Sequence, residues 1–579
     1  MAKEMAPFVT EHDKKAFWHS TSHILADAVK RLYPDVKLGF GPAIDEGFYY
    51  DFDKKIPFTP EDLQKIESMM KKIVKEDKFF KETWMTRKQS QKFLAREPYK
   101  LELLKEIEGD KIQFHQHGVF VDLCNNPVIH STGQIKAFKL LNVASAYWRG
   151  DVKRPALQRI YGISFPSQEQ LDEFLKRREE AEKRDHRKLG PQLDLFSLHE
   201  IAPAMPFFHP KGTVIINKLM EFRRELDKKY GFQEIRTPNV ASVELFKTSG
   251  HWEHYRELMF PVKTKDEDLA IRAMGCPFAQ VIFKSRSRSY RELPLRLAEF
   301  DTLDRNEYSG AWHGLLRVRQ MTQDDAHAFV SEDQIESEFT NLIKLTDEVY
   351  KIFGLSYRAT LSTRDPKNFM GDVHVWNKAE DILRKILSKS KINWKEAPSE
   401  GAFYGPKIDV MVRDSLGREW QCATMQLDFQ QPLRFDLKYT GADNKHHTPV
   451  LIHRVILGSL ERFMGILIEH YVGAFPVWLA PVQVKLLSFT DRNQKYAEKI
   501  EKELRDAGFR VETDYENNTV EYKVRQGELE KVPYILVCGD KEEQAGTLAV
   551  RPRGQKVKFG VKVPEFIKQI KEEIETKKS

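Results

Sequence analysis

The chain has 579 residues, too many for one hydrophobic core, so three or more domains are expected. At 41% hydrophobic residues it is a folding sequence, yet no apolar run approaches the ~20 residues of a membrane span and the opening MAKEMAPFVTEHDKK lacks a signal-peptide core. The net charge of +7 is a small excess, and the four cysteines, Cys124, Cys276, Cys422 and Cys538, are too few for a disulfide framework, so the chain reads as cytoplasmic with thiols or metal ligands.

In chain order, HSTSHILADAVKRL places Ile24, Leu25, Ala28 and Val29 on a helical stripe, with His19 and His23 together on one face. GFGPAIDEGFYYDFD predicts turns and short strands, and VFVDLCNNPVIHSTG alternates through Phe120, Asp122 and Cys124 before an Asn-Asn-Pro turn. Residues 1–165 therefore form an α+β domain. SQEQLDEFLKRREEAEKRDHRKLGP predicts a charged linker helix over 166–190, capped by Ser167 and Gln170 and stopped at Gly190-Pro191.

TVIINKLMEFRRELDKKYG predicts a helix with Ile215, Leu219, Phe222 and Leu226 inward, ending at Gly231, and FQEIRTPNV an extended segment running into Pro238. Residues 191–475 mix helices with alternating strands such as EWQCATMQLDF, which suits a large antiparallel sheet. Residues 476–579 follow another pattern. There VQVKLLSF, RVETDY and YILVCGD alternate with a helix carrying Ala497, Ile500 and Leu504, as in a small α/β domain with a mixed or parallel sheet. The last 29 residues hold nine Lys or Arg against four Glu, which suits a polyanion such as RNA and equally an ordinary solvated helix.

One stretch is chemically dense. LDRNEYSGAWHGLLRVRQMTQDDAH packs Arg305, Arg317 and Arg319 against Asp324, Asp325 and His327. Guanidinium forks match phosphate oxygens two at a time, a carboxylate suits an ammonium, and an imidazole suits a metal or a proton. The segment reads as a place where a phosphate and an amine meet; a solvated charged hairpin is the plain alternative.

A helix and strand ending in proline (213–238), Arg305-Asn306-Glu307, and the helix start Gly458-Ser459-Leu460-Glu461-Arg462 occur in this order, joined by TQDDAH, EGAFYGPKIDV, WQCATMQLDF and HRVILGSLERFMGILIEHY. The chain thereby resembles the threonyl-tRNA synthetase family of class II aminoacyl-tRNA synthetases over nearly its whole length. The resemblance implies an α+β multidomain protein: a class II antiparallel sheet core over 191–475, an N-terminal α+β editing domain over 1–165 and a C-terminal α/β anticodon-binding domain over 476–579. It also implies a homodimer formed through the first motif, in a form without the further small β-rich N-terminal domain of many members.

The resemblance implies roles as well. Arg305 would hold the ATP α-phosphate, Arg317 the terminal phosphates, Glu307 the adenine and Arg462 its face, with Mg2+ on the phosphates and Gln421 and Ser459 beside the nucleotide. Asp325 would take the threonine ammonium, with Tyr404, Thr424 and Gln426 lining the same pocket. Cys276, His327 and His453 would bind one Zn2+, and His251 would serve the transfer step. These three ligands are too widely spaced to suggest a metal on their own, and where the family continues Gly-His after the Cys-Pro pair this chain has Phe278-Ala279. Asn517, Glu542 and Arg551 match positions that contact the anticodon of tRNA(Thr).

For editing of seryl-tRNA(Thr), the resemblance implies His19, His23, Asp122 and Cys124. The family's Cys-x-x-Pro-His segment reads here Cys124 to Pro127 and then Val128, with His130 two positions later. In an extended backbone residues 128 and 130 point the same way, about 7 Å apart, so His130 is expected to substitute in part. A zinc site from His19, His23 and Cys124 fits by ligand type, although the family hydrolyses its substrate there without metal.

Three other readings stay open. One is a class II synthetase-like protein that binds tRNA for regulation without charging it, another is a different class II specificity such as serine or proline, and the third is a metallohydrolase built on His19, His23 and Cys124.

Overall fold

A computed structural model of the chain describes residues 10–577, apart from 152 and 416. The chain divides into two compact units, Met1–Glu179 and Glu180–Ser579.

The first unit opens with α1 (Glu11–Leu32), capped by Thr10, whose side chain accepts the Asp13 N–H. Ile24, Leu25, Ala28 and Val29 are all fully buried, as their spacing predicts. Then come β1 (Gly47–Asp53), α2 (Pro60–Lys75), β2 (Lys81–Thr86), α3 (Pro98–Glu106), β3 (Lys111–His117), β4 (Phe120–Leu123), β5 (Ala137–Tyr147), β6 (Ala156–Phe165) and α4 (Gln168–Arg184). β1, β6 and β5 form an antiparallel sheet with one apolar face, including Phe48, Tyr50, Phe52 and Ile160, that joins one core with α1 and α2. β2, β3 and β4 form a second antiparallel sheet.

The predicted linker helix is not one helix. α4 ends at Arg184, and Asp185 caps a second helix, α5 (His186–Gln192), by accepting the Arg187 N–H at 2.8 Å. Pro191 lies inside α5 rather than ending the run. At the start of α4 the Gln170 N–H reaches the Ser167 hydroxyl at 3.4 Å.

The second unit continues with α6 (Pro210–Lys229), β7 (Gln233–Glu234), α7 (Cys276–Lys284), β8 (Leu295–Asp304), β9 (Gln320–Val330), α8 (Ile335–Ile352), β10 (Ser356–Ser362), α9 (Val373–Lys389), β11 (Trp394–Ala397), β12 (Lys407–Arg413), β13 (Glu419–Asp428), β14 (Val450–Ser459) and α10 (Leu460–Tyr471). The strands make one eight-stranded sheet in the order β7-β8-β9-β14-β13-β12-β10-β11. Its interior is antiparallel as expected, but the outermost pairs, β7 with β8 and β10 with β11, are parallel. The segment expected to be extended up to Pro238 contributes only the two residues of β7 to this sheet.

Strand alternation gives the sheet two unlike faces. Ala326, Ala328 and Val330 of β9 join a core with Ile215, Leu219, Phe222 and Leu226 of α6 and with α8 and α10. The other face carries polar side chains. Beneath it, Asp324 is fully buried: it accepts from Arg223 Nε at 3.0 Å and from the N–H groups of Ile456, Leu457 and Gly458 at 3.2, 3.0 and 3.2 Å. Gly458 there has φ +82°, so this carboxylate fixes the bend between β14 and α10.

The chain ends in β15 (Val484–Ser488), α11 (Gln494–Asp506), β16 (Val511–Asp514), α12 (Val520–Leu529), β17 (Tyr534–Cys538), α13 (Asp540–Ala545), β18 (Thr547–Pro552), β19 (Lys558–Lys562) and α14 (Val563–Glu575). The sheet order is β16-β15-β17-β18-β19, with the first three strands parallel and the remainder antiparallel, a mixed sheet. Among the described residues, no helix is long and apolar enough to cross a membrane.

Candidate functional site

The polar face of the large sheet floors a cavity of about 470 Å³. Met321, Gln323, Asp325 and His327 line it from β9, every second residue of one strand. Register brings the neighbours alongside: His327 faces His453 of β14, which faces Gln426 of β13, and Asp325 faces Val455, which faces Thr424. Rows of side chains thus cross three strands and present a carboxylate, imidazoles, an amide and a hydroxyl to one space.

Arginines close the other end. Arg305, just past β8, is held by its backbone N–H on the Arg319 carbonyl at 2.7 Å and by its Nε on the Ala273 carbonyl at 3.2 Å, leaving its terminal nitrogens toward the cavity. Arg317 is paired to Glu307, Nη2 to Oε2 at 3.0 Å. Arg462 stands one turn into α10, whose N-cap Ser459 accepts its N–H at 3.0 Å. Its Nε donates to the Leu316 carbonyl at 2.8 Å and its Nη1 to the Gln421 carbonyl at 2.9 Å. Burial pulls the Arg462 guanidinium below its ordinary range, and an anionic ligand would restore the balance. Gln421 and Thr424 are both fixed on Asp409, at 2.7 and 2.9 Å.

Cys276, His327 and His453 offer ligand atoms within 4.8 Å of one another, and all three are buried. Tyr404 stacks on His453 at 4.8 Å and donates its hydroxyl to Gln426. Burial raises the Cys276 thiol well above its usual range and lowers His327, favouring the neutral thiol and the neutral His327 imidazole. The Asp428 carboxylate takes one ring nitrogen of His453 at 3.0 Å, the contact that fixes the tautomer of a metal-binding imidazole. One thiol and two imidazoles, with a carboxylate behind one of them, fit a zinc ion that keeps positions open for substrate. Burial first, then the neighbouring Asp301 carboxylate, raises Asp325. Both oxygens of Asp301 are buried without a partner, and burial lifts it to about 7.

In the first unit a separate cavity of about 430 Å³ is lined by His19, His23, Asp122 and Cys124. His19 Nε2 is 2.8 Å from the Cys124 sulfur and 3.1 Å from His23 Nε2, and its Nδ1 donates to the Gly41 carbonyl at 3.0 Å. Burial, then His23, pushes His19 down to about 3, and burial raises the Cys124 thiol to about 12. Asp122 lies 3.1 Å from His23 Nδ1 and 2.6 Å from Lys100 Nζ, and it accepts the Tyr50 hydroxyl at 2.7 Å. Burial alone would raise Asp122, but the Lys100 charge and then the His23 contact hold it far below the carboxylate range.

His130 is a correction. β4 ends at Leu123, so Cys124–His130 is a loop and strand alternation does not apply. The Ile129 N–H is pinned to Ser20 Oγ of α1 at 2.9 Å, and the His130 ring turns out to stack edge-on against exposed Phe79 at 4.9 Å. Neither Val128 nor His130 lines the cavity. His251 also stands apart: it is 1% exposed and sits behind the wall of the main cavity, Nε2 2.9 Å from Met274 Sδ and 3.6 Å from the Cys276 sulfur.

Several neighbours escaped sequence reasoning. Gln323 and Met274 line the main cavity; Gln323 was readable as the alternate residue between Met321 and Asp325, and Met274 only by its closeness to Cys276. Lys100 and Tyr50 meet Asp122 and carry no local signal, since each sits in an ordinary apolar pattern.

In the last sheet Asn517 is exposed on the loop after β16. Glu542, in the first turn of α13 after β17, accepts the Gly539 N–H at 3.2 Å. Arg551 of β18 lies opposite Ile535, near the start of β17, and approaches Glu528 at 3.5 Å. The first two thus share the carboxyl end of the parallel strands, and Arg551 lies about 10 Å further along the sheet.

Comparison with known proteins gives three profile matches along the chain. The profile for the tRNA synthetase class II core domain (G, H, P, S and T) matches residues 260–471, that for an anticodon binding domain residues 477–573, and that for the threonyl and alanyl tRNA synthetase second additional domain residues 110–161. The threonine–tRNA ligase of Caldanaerobacter subterraneus subsp. tengcongensis is 51% identical over 577 residues, covering 99% of this chain and 89% of its own. That of Acetivibrio thermocellus is 52% identical over 575 residues, covering 99% and 90%. The crystal structure of the RNA binding domain of threonyl-tRNA synthetase from Cryptosporidium parvum Iowa II superposes with a TM-score of 0.65 at 40% identity, covering 67% of this chain and 98% of that one. With half of its residues identical to those ligases along almost its whole length, the chain belongs to the threonine–tRNA ligase family, the threonyl branch of the class II aminoacyl-tRNA synthetases.

Proposed function

We propose that the chain activates threonine with ATP, transfers it to tRNA(Thr), and hydrolyses seryl-tRNA(Thr) in its first unit. The observation that carries this reading is the main cavity, where Arg305, Arg317 and Arg462 stand at one end and Asp325 with the Cys276–His327–His453 cluster at the other. Phosphate and amine chemistry meet in one space.

In this reading Arg305 holds the α-phosphate while a threonine carboxylate oxygen attacks its phosphorus and the bond to pyrophosphate breaks; negative charge builds there, which is where a fixed cation helps most. Arg317 parts from Glu307 to meet the terminal phosphates, Glu307 turns to the adenine, and Arg462 lies on its face, with Gln421 and Ser459 beside it. ATP enters with Mg2+, which neutralises phosphate charge. Asp325 accepts an N–H of the threonine amino group, and Tyr404, Thr424 and Gln426 enclose the side chain. A ribose hydroxyl of tRNA(Thr) then attacks the threonyl carbonyl and AMP leaves; His251 serves that step through Met274 and Cys276 rather than by touching substrate.

Cys276, His327 and His453 would hold one Zn2+, which would supply Lewis acidity to the amino and hydroxyl groups of threonine, a pair valine lacks. Serine has both and lacks only a methyl, worth ~1–3 kcal/mol, so mischarging follows and hydrolysis is needed. His19, His23 and Cys124, with Asp122 fixing His23, form the hydrolytic set. The division into 1–165, 166–190, 191–475 and 476–579 assigns editing, linkage, activation and anticodon contact, the last through Asn517, Glu542 and Arg551. Pairing of two copies through the motif around α6, and residence in the cytoplasm, complete the reading.

Threonine-dependent exchange of pyrophosphate into ATP, with zinc measured on the same sample, tests it. Folded, zinc-bearing protein without exchange would move the reading to a regulatory tRNA-binding protein.

A further inference from the structure

His186 opens α5 and is fully buried, and it has no part in the roles assigned above. Its Nδ1 lies 2.7 Å from Glu469 Oε1 on α10, and the same oxygen accepts the His186 backbone N–H at 3.2 Å. Its Nε2 lies 3.0 Å from the Leu315 backbone nitrogen. A backbone N–H can only donate, so Nε2 must be the acceptor and Nδ1–H the donor: the partners fix a neutral imidazole in one tautomer. Both ring nitrogens are engaged, so the nearby grouping with Asp185 and Glu469 has no nitrogen left for a cation.

The other side of this contact is the nucleotide end of the main cavity. Residues 313–317 form a tight turn, the His313 N–H on the Arg317 carbonyl at 3.2 Å and the Leu316 N–H on the His313 carbonyl at 2.9 Å. Gly314 has φ +53°, and a Cβ there would fall 2.2 Å from His186 Nε2, so only glycine lets the turn close on the ring. Leu315 is wholly buried against the imidazole, while the adjacent Leu316 carbonyl is the acceptor for Arg462 Nε at 2.8 Å and Arg317 ends the turn. Glu469 is itself braced by Arg418.

We propose that His186 is a positioning residue for nucleotide binding: its unprotonated Nε2 fixes the Leu315 N–H, and with it the turn that holds the Arg462 guanidinium and presents Arg317. This rests on the reading of the main cavity as an ATP site. The ring's link to α10 and its link to the turn are separable. An asparagine at 186 keeps a donor for Glu469 and leaves the buried Leu315 N–H without an acceptor. A glutamine reaches the Nε2 position and offers an oxygen to that N–H while giving up the Glu469 bond.

The test compares full-length wild type, His186→Asn and His186→Gln by calorimetric titration with a non-hydrolysable ATP analogue and, separately, with threonine, alongside pyrophosphate exchange and thermal unfolding. His186→Asn should weaken the ATP analogue about tenfold, the effect of one unsatisfied buried N–H, with threonine affinity changed less than twofold. His186→Gln should recover most of the nucleotide affinity even if its melting temperature is lower. Nucleotide affinity that is unchanged in His186→Asn, or that follows melting temperature across the two variants, overturns the proposal. So does a parallel loss of threonine and nucleotide affinity. Wild-type protein that binds the analogue but catalyses no exchange would sink the synthetase reading and leave this assignment to stand on the binding data.

Discussion

Asp428 holds His453 by a carboxylate–imidazole hydrogen bond of 3.0 Å at the buried edge of the main cavity. Such an outer carboxylate orients a ligating imidazole and raises its basicity, and its loss typically costs about 10–100-fold in metal affinity. Asp428→Asn should therefore lower zinc affinity by that order while leaving Cys276, His327 and His453 in place. Cys276→Ala should lose zinc and threonine activation together. Metal-free Cys276→Ala activating threonine at the normal rate would remove zinc from the assignment.

Among the described residues Arg305 forms no ion pair; its Nε donates to the Ala273 carbonyl and its guanidinium carbon lies 5.7 Å from the centre of the Tyr255 ring. A preorganised cation aimed at developing phosphate charge is worth about a hundredfold or more in rate. Arg305→Ala should cut pyrophosphate exchange by at least that factor with threonine affinity nearly intact. A loss confined to threonine affinity would contradict the placement.

The first unit should be acid-sensitive in a defined window. His19 is held at about 3, mainly by burial, against an unfolded value of about 6.5. As pH falls the unfolded chain gains this proton first, so the stability contribution is complete above about pH 6.5 and is lost progressively toward pH 3. Hydrogen exchange of α1 amides across that range should show the loss, and His19→Gln should flatten it. Protection in wild type that stays constant from pH 7 to pH 4 would disprove the buried neutral state.

Lys100 stands 2.6 Å from Asp122 with both side chains buried. Lys100→Met leaves a buried carboxylate without its cation, a change that costs about 3–5 kcal/mol. It should lower the stability of the first unit and abolish deacylation of preformed seryl-tRNA(Thr). In the same assay His19→Ala should fall to the spontaneous rate and His130→Ala should match wild type. Slowed hydrolysis in His130→Ala would return that residue to the site against its outward orientation.

Arg551 is partly exposed and only loosely paired with Glu528 at 3.5 Å, so its fork is available to guanine edges or phosphate. Arg551→Ala should raise the KM for tRNA(Thr) and leave pyrophosphate exchange nearly unchanged. Equal damage to both steps would point to a folding defect instead.

The sequence alone determined whatever follows from local periodicity and from motifs. The 3.6-residue stripe of Ile215, Leu219, Phe222 and Leu226 sets the buried face of α6, and the alternation of Met321, Gln323, Asp325 and His327 sets which side of β9 meets a ligand. The motifs around Arg305 and Arg462 pointed to the family because their order along the chain is itself informative. Tertiary structure decided what depends on distance across strands. Cys276, His327 and His453 become neighbours only through α7 and the β9–β14 register, and Lys100 meets Asp122 only because α3 packs beside β4. It also decided the failures. Alternation requires a strand, and β4 stops at Leu123, so His130 faces Phe79 instead of the pocket. Asp185 restarts a helix where Gly190-Pro191 was expected to end one, and so delivers His186 to the back of the nucleotide turn, a placement no local pattern encodes because both of its partners, Leu315 and Glu469, lie more than a hundred residues away.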